Sequence, residues 1–235
     1  MKLSLTTIPL ALVLLSASAL AGPMADFESG FRTTYASYRT ALFATNSGDA
    51  DKSKRALSDF DNSWRDLVSR NGSAPPPQYE DDAAWGATLK DVSEAIDKAR
   101  QLADSGKLPQ SHDTLELVRD AIGDLHRRNG IVLFSDRMNA YHARMEHVIG
   151  LSAGDAAAPQ LLAEQAAVLA YLAEDMLETP PVEAKGNAAF DDLAKALTAS
   201  VAALQTAARS GDAGAIKAAV SGLKMPYAKL FLKFG

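Results

Sequence analysis

The chain contains no cysteine. That absence excludes disulfides, a thiol nucleophile, a thiolate-held iron–sulfur cluster and haem attached through Cys-x-x-Cys-His. Basic residues are also scarce: 24 Lys and Arg stand against 29 Asp and Glu, a net charge of −5. Phosphate neutralisation needs a cationic excess, so nucleic acid is a poor partner. Beyond the N-terminus no segment approaches the ~18 uninterrupted apolar residues of a spanning helix. The richest, Leu161 to Leu177, is broken by Glu164, Gln165, Glu174 and Asp175. Alternating strand patterns and hairpin signals are missing. So are Gly-x-Ser-x-Gly, His-Glu-x-x-His, a phosphate loop, a dinucleotide fingerprint and the Glu-x-x-His of a di-iron bundle. The sequence therefore reads as that of a non-enzyme.

The N-terminus is the exception to the shortage of apolar runs. Lys2 gives a positive start, Ile8 to Leu15 is apolar apart from Pro9, and Ala19-Leu20-Ala21 has the small-x-small pattern of a cleavage site. Residues 1–21 read as a secretory signal peptide, cleaved to leave a mature chain near Gly22. Losing Lys2 takes the net charge from −5 to −6. The expected location is an exported compartment, a bacterial periplasm in particular. About 210 mature residues suffice for a packed core without disulfides.

Ala and Leu are abundant, and almost every segment scans with helical period. Three turns punctuate it: Ser47-Gly48-Asp49, Ser105-Gly106-Lys107 and Ser210-Gly211-Asp212. Counting +9, +12, +16 and +19 from each Gly gives Leu57, Phe60, Trp64 and Leu67; then Leu115, Val118, Ile122 and Leu125; then Val220, Leu223, Tyr227 and Leu230. Ten residues before each Gly stand Tyr38, Ile96 and Val201. One apolar stripe at a constant distance from one turn is a repeated antiparallel helical hairpin. A near-copy, Ser152-Ala153-Gly154-Asp155, does not keep the register.

The predicted fold is all-α: tandem antiparallel four-helix bundles, one over 22–130 and one over 131–235. Helices are expected near 24–47, 49–70, 80–105, 109–128, 134–151, 157–178, 186–209 and 212–234. Asn129-Gly130 either breaks the chain or is bridged by one long helix. Pro226 falls inside the last predicted helix and should kink it. The apolar tail after it closes the second core or docks on a membrane partner.

All four histidines lie within the 36 residues from His112 to His147. Met138, His142 and Met145, spaced four and three apart, share a helical face. A thioether–imidazole–thioether set suits Cu(I), and His147 could add a nitrogen. Glu146 could orient the free nitrogen of His142. The two methionines also fit the core stripe Phe134, Met138, Tyr141, Met145, Val148. His112 reads as a surface residue. His126, at +20 from Gly106, flanks the core.

Ala25-Asp26-Phe27-Glu28 at the start and Gly106-Lys107 before the fourth helix carry a resemblance over residues 24–128. The segment resembles the periplasmic four-helix-bundle cytochromes, b-type and c-prime. The resemblance implies an axial histidine late in the fourth helix, at His126; Asn139-Ala140-Tyr141-His142 is similar to the family's ligand segment one helix later. The axial-methionine position is Phe31, and Lys224-Met225-Pro226-Tyr227-Ala228-Lys229 stands where the covalent haem motif would lie. The resemblance implies non-covalent haem at most, and the histidine and methionine residues point to a copper or iron ion. The expectation is an exported binding protein for such a metal or for haem, a carrier or accessory factor. The alternative is a ligand-free helical scaffold that meets an envelope protein.

Overall fold

Nine α-helices carry the fold in the computed structural model, which describes residues 22–152 and 159–235. The leader assigned to residues 1–21, and residues 153–155 of the near-copy, lie outside them. In order these are α1 Pro23–Asn46, α2 Ala50–Asn71, α3 Trp85–Asp104, α4 Leu108–Arg128, α5 Phe134–Ser152, α6 Pro159–Glu178, α7 Ala188–Ser210, α8 Ala213–Ser221 and α9 Lys224–Phe234. Single 3₁₀ turns occupy Pro77–Tyr79 and Val182–Ala184. No described residue is in a strand. No helix among the described residues is long and apolar enough to cross a membrane.

Local chemistry sets the helix ends. Asp49, Asn187 and Asp212 accept backbone N–H groups of the first turns of α2, α7 and α8, satisfying donors that the helix leaves orphaned. The turn glycines Gly48, Gly106 and Gly211 have φ of 77°, 73° and 69°. At Gly106 the Lys107 amide bonds the Leu102 carbonyl and the Gly106 amide bonds that of Ala103, the paired closure of a helix C-terminus that a left-handed residue permits. Gly130 repeats the device, with Ile131 N–H on the His126 carbonyl and Gly130 N–H on that of Arg127. This turn separates α4 from α5, so no long helix is shared.

Two of the expected helices differ. The predicted 80–105 helix begins at Trp85, because Asp82 takes the Ala84 amide at 2.9 Å and holds the preceding residues in a turn. The predicted 212–234 helix is two, parted at Gly222-Leu223. Pro226 then stands in the first turn of α9, where an amide would have no intrahelical partner. The expected kink is replaced by a new helix start.

Helices α1 to α4 pack in a ring: α1 on α2, α2 on α3, α3 on α4, α4 back on α1. Helices α5 to α9 form a second ring, with α8 and α9 together filling its fourth side between α7 and α5. Contact between α1 and α9 joins the two. All fifteen residues of the repeat stripe, from Tyr38 to Leu230, are buried. They belong to one apolar cluster that runs from Phe27 to Phe234 without a gap between the rings. Arg39 adds a polar tie, donating to the Leu232 carbonyl at 3.3 Å from Nε and to that of Lys233 at 3.5 Å from Nη2.

Candidate functional site in the cleft between the bundles

The histidines separate into four environments. His126 is buried at 1% exposure. Its Nδ1 lies 2.9 Å from both carboxylate oxygens of Asp136, which also accepts the Leu133 amide at 2.7 Å. Its Nε2 has no hydrogen-bond partner. An imidazole oriented through one nitrogen with the other left free is the arrangement metal-ligating histidines use. The neighbours of the ring are aromatic, however. Phe31 meets it edge-on with centroids 5.6 Å apart, and Tyr79 stacks at 6.5 Å. Phe31, standing where the cytochrome resemblance places an axial methionine, fills that side of the imidazole and offers no donor atom.

Met138, His142, Met145 and His147 differ in their surroundings. Met138 and Met145 are buried in the core, at 0% and 1% exposure. Met138 lies against the C-terminal Gly235, whereas Met145 lines a cleft with His142. His147 is exposed. Arg119 Nη1 stands 3.0 Å from His142 Nδ1. A guanidinium can only donate, so Nδ1 accepts and the proton of the neutral ring sits on Nε2. Among the described residues, no three His, Asp or Glu side chains gather as a metal-holding group.

His142 instead belongs to a cleft of 370 Å³ between the two rings. Its apolar wall includes Leu42 and Phe43 from α1, Met145 from α5 and Phe231 from α9. Its polar wall is built by helical spacing. His112, Glu116 and Arg119 occupy one face of α4, and His142 and Glu146 one face of α5. His112 is half-buried rather than on the surface; its Nδ1 lies 3.1 Å from the Leu42 carbonyl and 3.3 Å from the Thr45 hydroxyl. The pair His112–Glu116 stands at 3.9 Å and His142–Glu146 at 3.7 Å, two i,i+4 pairs facing each other. Tyr227 closes the floor, stacked on His142 with centroids 5.1 Å apart, and its buried hydroxyl has no partner. Lys224 meets Glu146 at 3.0 Å. Burial, and next the Arg119 charge, pull the His142 pKa down to about 4. Burial raises the Tyr227 phenol far above its ordinary range, with Arg119 opposing.

Arg119 is the residue that sequence reasoning missed. Only 12% of its side chain is exposed, and its one hydrogen bond goes to a neutral imidazole. Glu116 at 3.5 Å and Asp120 at 3.8 Å are near enough to attract it but lie outside hydrogen-bond geometry. The repeat register carried the signal: at +13 from the three turn glycines stand Asp61, Arg119 and Lys224. Asp61, in the equivalent place, is closed off by Arg65 and Arg100. Arg119 faces a cavity instead.

A larger groove of 640 Å³ lies along α1, the 179–183 segment and the C-terminus. Its arginines are occupied, Arg32 by Glu183 at 3.1 Å and Arg39 by the α9 carbonyls. His126 lines neither cavity. Searches against protein-family models, curated proteins and solved structures found no match to this chain.

Proposed function

We propose that the protein is a non-enzymatic binding protein of an exported compartment, which holds a small ligand in the cleft between its two helical rings. The observation that carries this reading is Arg119: a nearly buried guanidinium with five donors and one hydrogen bond, at the wall of a cavity. A buried charge without full partners is costly to the folded state. Residues kept for binding tolerate that cost, and their replacement by an apolar group of similar size relieves it. Arg119→Met is therefore expected to leave the ligand-free protein as stable as the parent, within about 1 kcal/mol, or more stable. Urea denaturation checks this. A loss of about 3 kcal/mol or more would make Arg119 a structural residue and remove the reading.

Copper, iron or haem at His126 is a second reading, favoured by the unpartnered Nε2 and its anchoring carboxylate. The aromatic packing of Phe31 opposes a flat macrocycle there. Titration of the purified protein with haemin, Fe(II) and Cu(I) tests it. Saturable binding that vanishes in His126→Ala but survives in Arg119→Met would favour this reading; a flat titration would leave the histidine as core. A ligand-free scaffold that meets an envelope partner predicts neither result.

A further inference from the structure

We infer that the ligand of the cleft is a free α-amino acid with an apolar side chain, its carboxylate on Arg119 and its ammonium on Glu116. This inference rests on the cleft reading above and narrows it to one chemical class.

The charge inventory points to a ligand that carries both signs. Three carboxylates line the cleft, Asp113, Glu116 and Glu146, with two fixed cations, Arg119 and Lys224. Lys224 and Glu146 neutralise each other at 3.0 Å. Arg119 and Glu116 do not: they stand 3.5 Å apart, one turn apart on α4, without hydrogen-bond geometry between them. The Glu116 carboxylate accepts no hydrogen bond; its other near neighbour is His112 at 3.9 Å. Each of the two groups therefore has open valence next to an opposite charge. A simple anion would satisfy Arg119 and be repelled by Glu116, and a simple amine would do the reverse. An α-amino acid places carboxylate and ammonium one carbon apart, which matches two adjacent helix-face groups.

The remaining walls agree with that orientation. A carboxylate takes two parallel N–H bonds from a guanidinium, the geometry Arg supplies and Lys does not. His142 offers a further donor, since its Nδ1 accepts from Arg119 and its Nε2 carries the proton. The Tyr227 ring lines the same floor, stacked on His142. Beside them Leu42, Phe43, Met145 and Phe231 supply apolar surface that suits a leucine, methionine or phenylalanine side chain and contributes by burial alone. The cavity, 370 Å³, has room for one such molecule and not for a folded partner.

The test is isothermal titration of the full chain with L-leucine and L-phenylalanine, beside 3-phenylpropionate, phenethylamine and inorganic phosphate. The expected result is saturable binding of at least one amino acid. It should weaken at least tenfold when either charge of the ligand is removed. It should weaken at least tenfold again in Arg119→Met and, separately, in Glu116→Gln, a near-isosteric change on the half-exposed face of α4. Binding of 3-phenylpropionate or phosphate as tight as that of the amino acids would overturn the zwitterion and leave an anion site. No binding by any of the five, with Arg119→Met as stable as the parent, would overturn the class and leave the cleft reading standing. Strong destabilisation by Arg119→Met would remove both.

Discussion

A chain ending at Lys229 is expected to lose most of its stability. The six residues removed, Leu230 to Gly235, include Leu230, Phe231 and Phe234, exposed by 0%, 6% and 6%. Fully burying a Leu or Phe side chain contributes about 1.5–3 kcal/mol each, so the three together contribute roughly 5–9 kcal/mol, comparable with the 5–15 kcal/mol that holds a typical domain folded. The loss would not stay local. Phe234 packs edge-on against Phe190 of α7 with centroids 5.2 Å apart, and Phe231 stacks on Tyr227 at 5.8 Å. Gly235 lies against Met138 of α5. Arg39 of α1 would lose the two carbonyls that hold it. The last turn of α9 thus touches both rings, and its removal opens the seam between them together with the second core. In thermal unfolding followed by circular dichroism, the midpoint should fall by about 10–35 °C or the transition should lose its single cooperative step. An unchanged midpoint would mean that the tail adds nothing to the fold and is free to dock elsewhere.

That tail shows how unevenly structure was legible. The stripe Val220, Leu223, Tyr227 and Leu230 repeats the spacing of two earlier hairpins, and the register alone placed all four in a core. What it could not show is the break inside the stripe. Gly222-Leu223 ends α8 and starts α9, yet the apolar period runs on across the gap, because α8 and α9 cover the same side of the second ring. Pro226 marked the discontinuity and read as a kink, since one-dimensional periodicity does not distinguish a bent helix from two short ones. The same limit applies at Asn129-Gly130, where only the two backbone bonds that close α4 decide between a turn and a long helix.

The site was legible in its parts and not in its arrangement. His142 and Glu146 were marked by their i,i+4 spacing, and His112 with Glu116 has that spacing too. Two methionines beside a histidine pointed to copper; both are buried in the core, and Met145 also lines the cleft with His142. The group on which the proposal rests, Arg119, looked like an ordinary helix-face charge. A charge at a flank-of-core position is unremarkable when an opposite charge sits three residues away on the same helix, as Glu116 does. It becomes a site only when the facing helix supplies no full partner, and which helix faces it is a fact of tertiary packing. The same applies to Asp136, ten residues from His126 and across a turn, whose carboxylate holds the ring that the cytochrome resemblance had already singled out.

Acid should weaken the protein through His142 at a pH where most exposed carboxylates are still ionised. The imidazole has a pKa of about 4 in the fold, lowered first by burial and then by Arg119, against about 6.5 in an unfolded chain. Between those values the unfolded chain binds a proton that the folded protein refuses, so stability falls as pH falls. The contribution is whole above pH 6.5, declines from there toward pH 4, and at 1.36 kcal/mol for each unit reaches about 3 kcal/mol. Only 17% of the side chain is exposed, which keeps solvent from screening the effect away. The surroundings set the sign: Arg119, Lys224 and His112 disfavour the imidazolium, and Glu146 favours it. His142→Gln preserves an acceptor for Arg119 and cannot protonate. Urea denaturation of both proteins at pH 7 and pH 4.5 isolates the term, because groups away from His142 titrate alike in the two. The parent should lose about 2–3 kcal/mol more than the variant over that interval. Equal losses would mean that His142 protonates freely in the fold, and that Arg119 lies too far from it to hold the ring neutral. A neutral His142 keeps Nδ1 an acceptor for Arg119 and leaves Nε2–H a donor at the cleft without adding a third cation there. The stability experiment and the binding experiment therefore meet at one atom: if the amino acid seats its carboxylate beside that donor, its affinity should stay level from pH 8 down to pH 6, while the fold is only beginning to feel the acid.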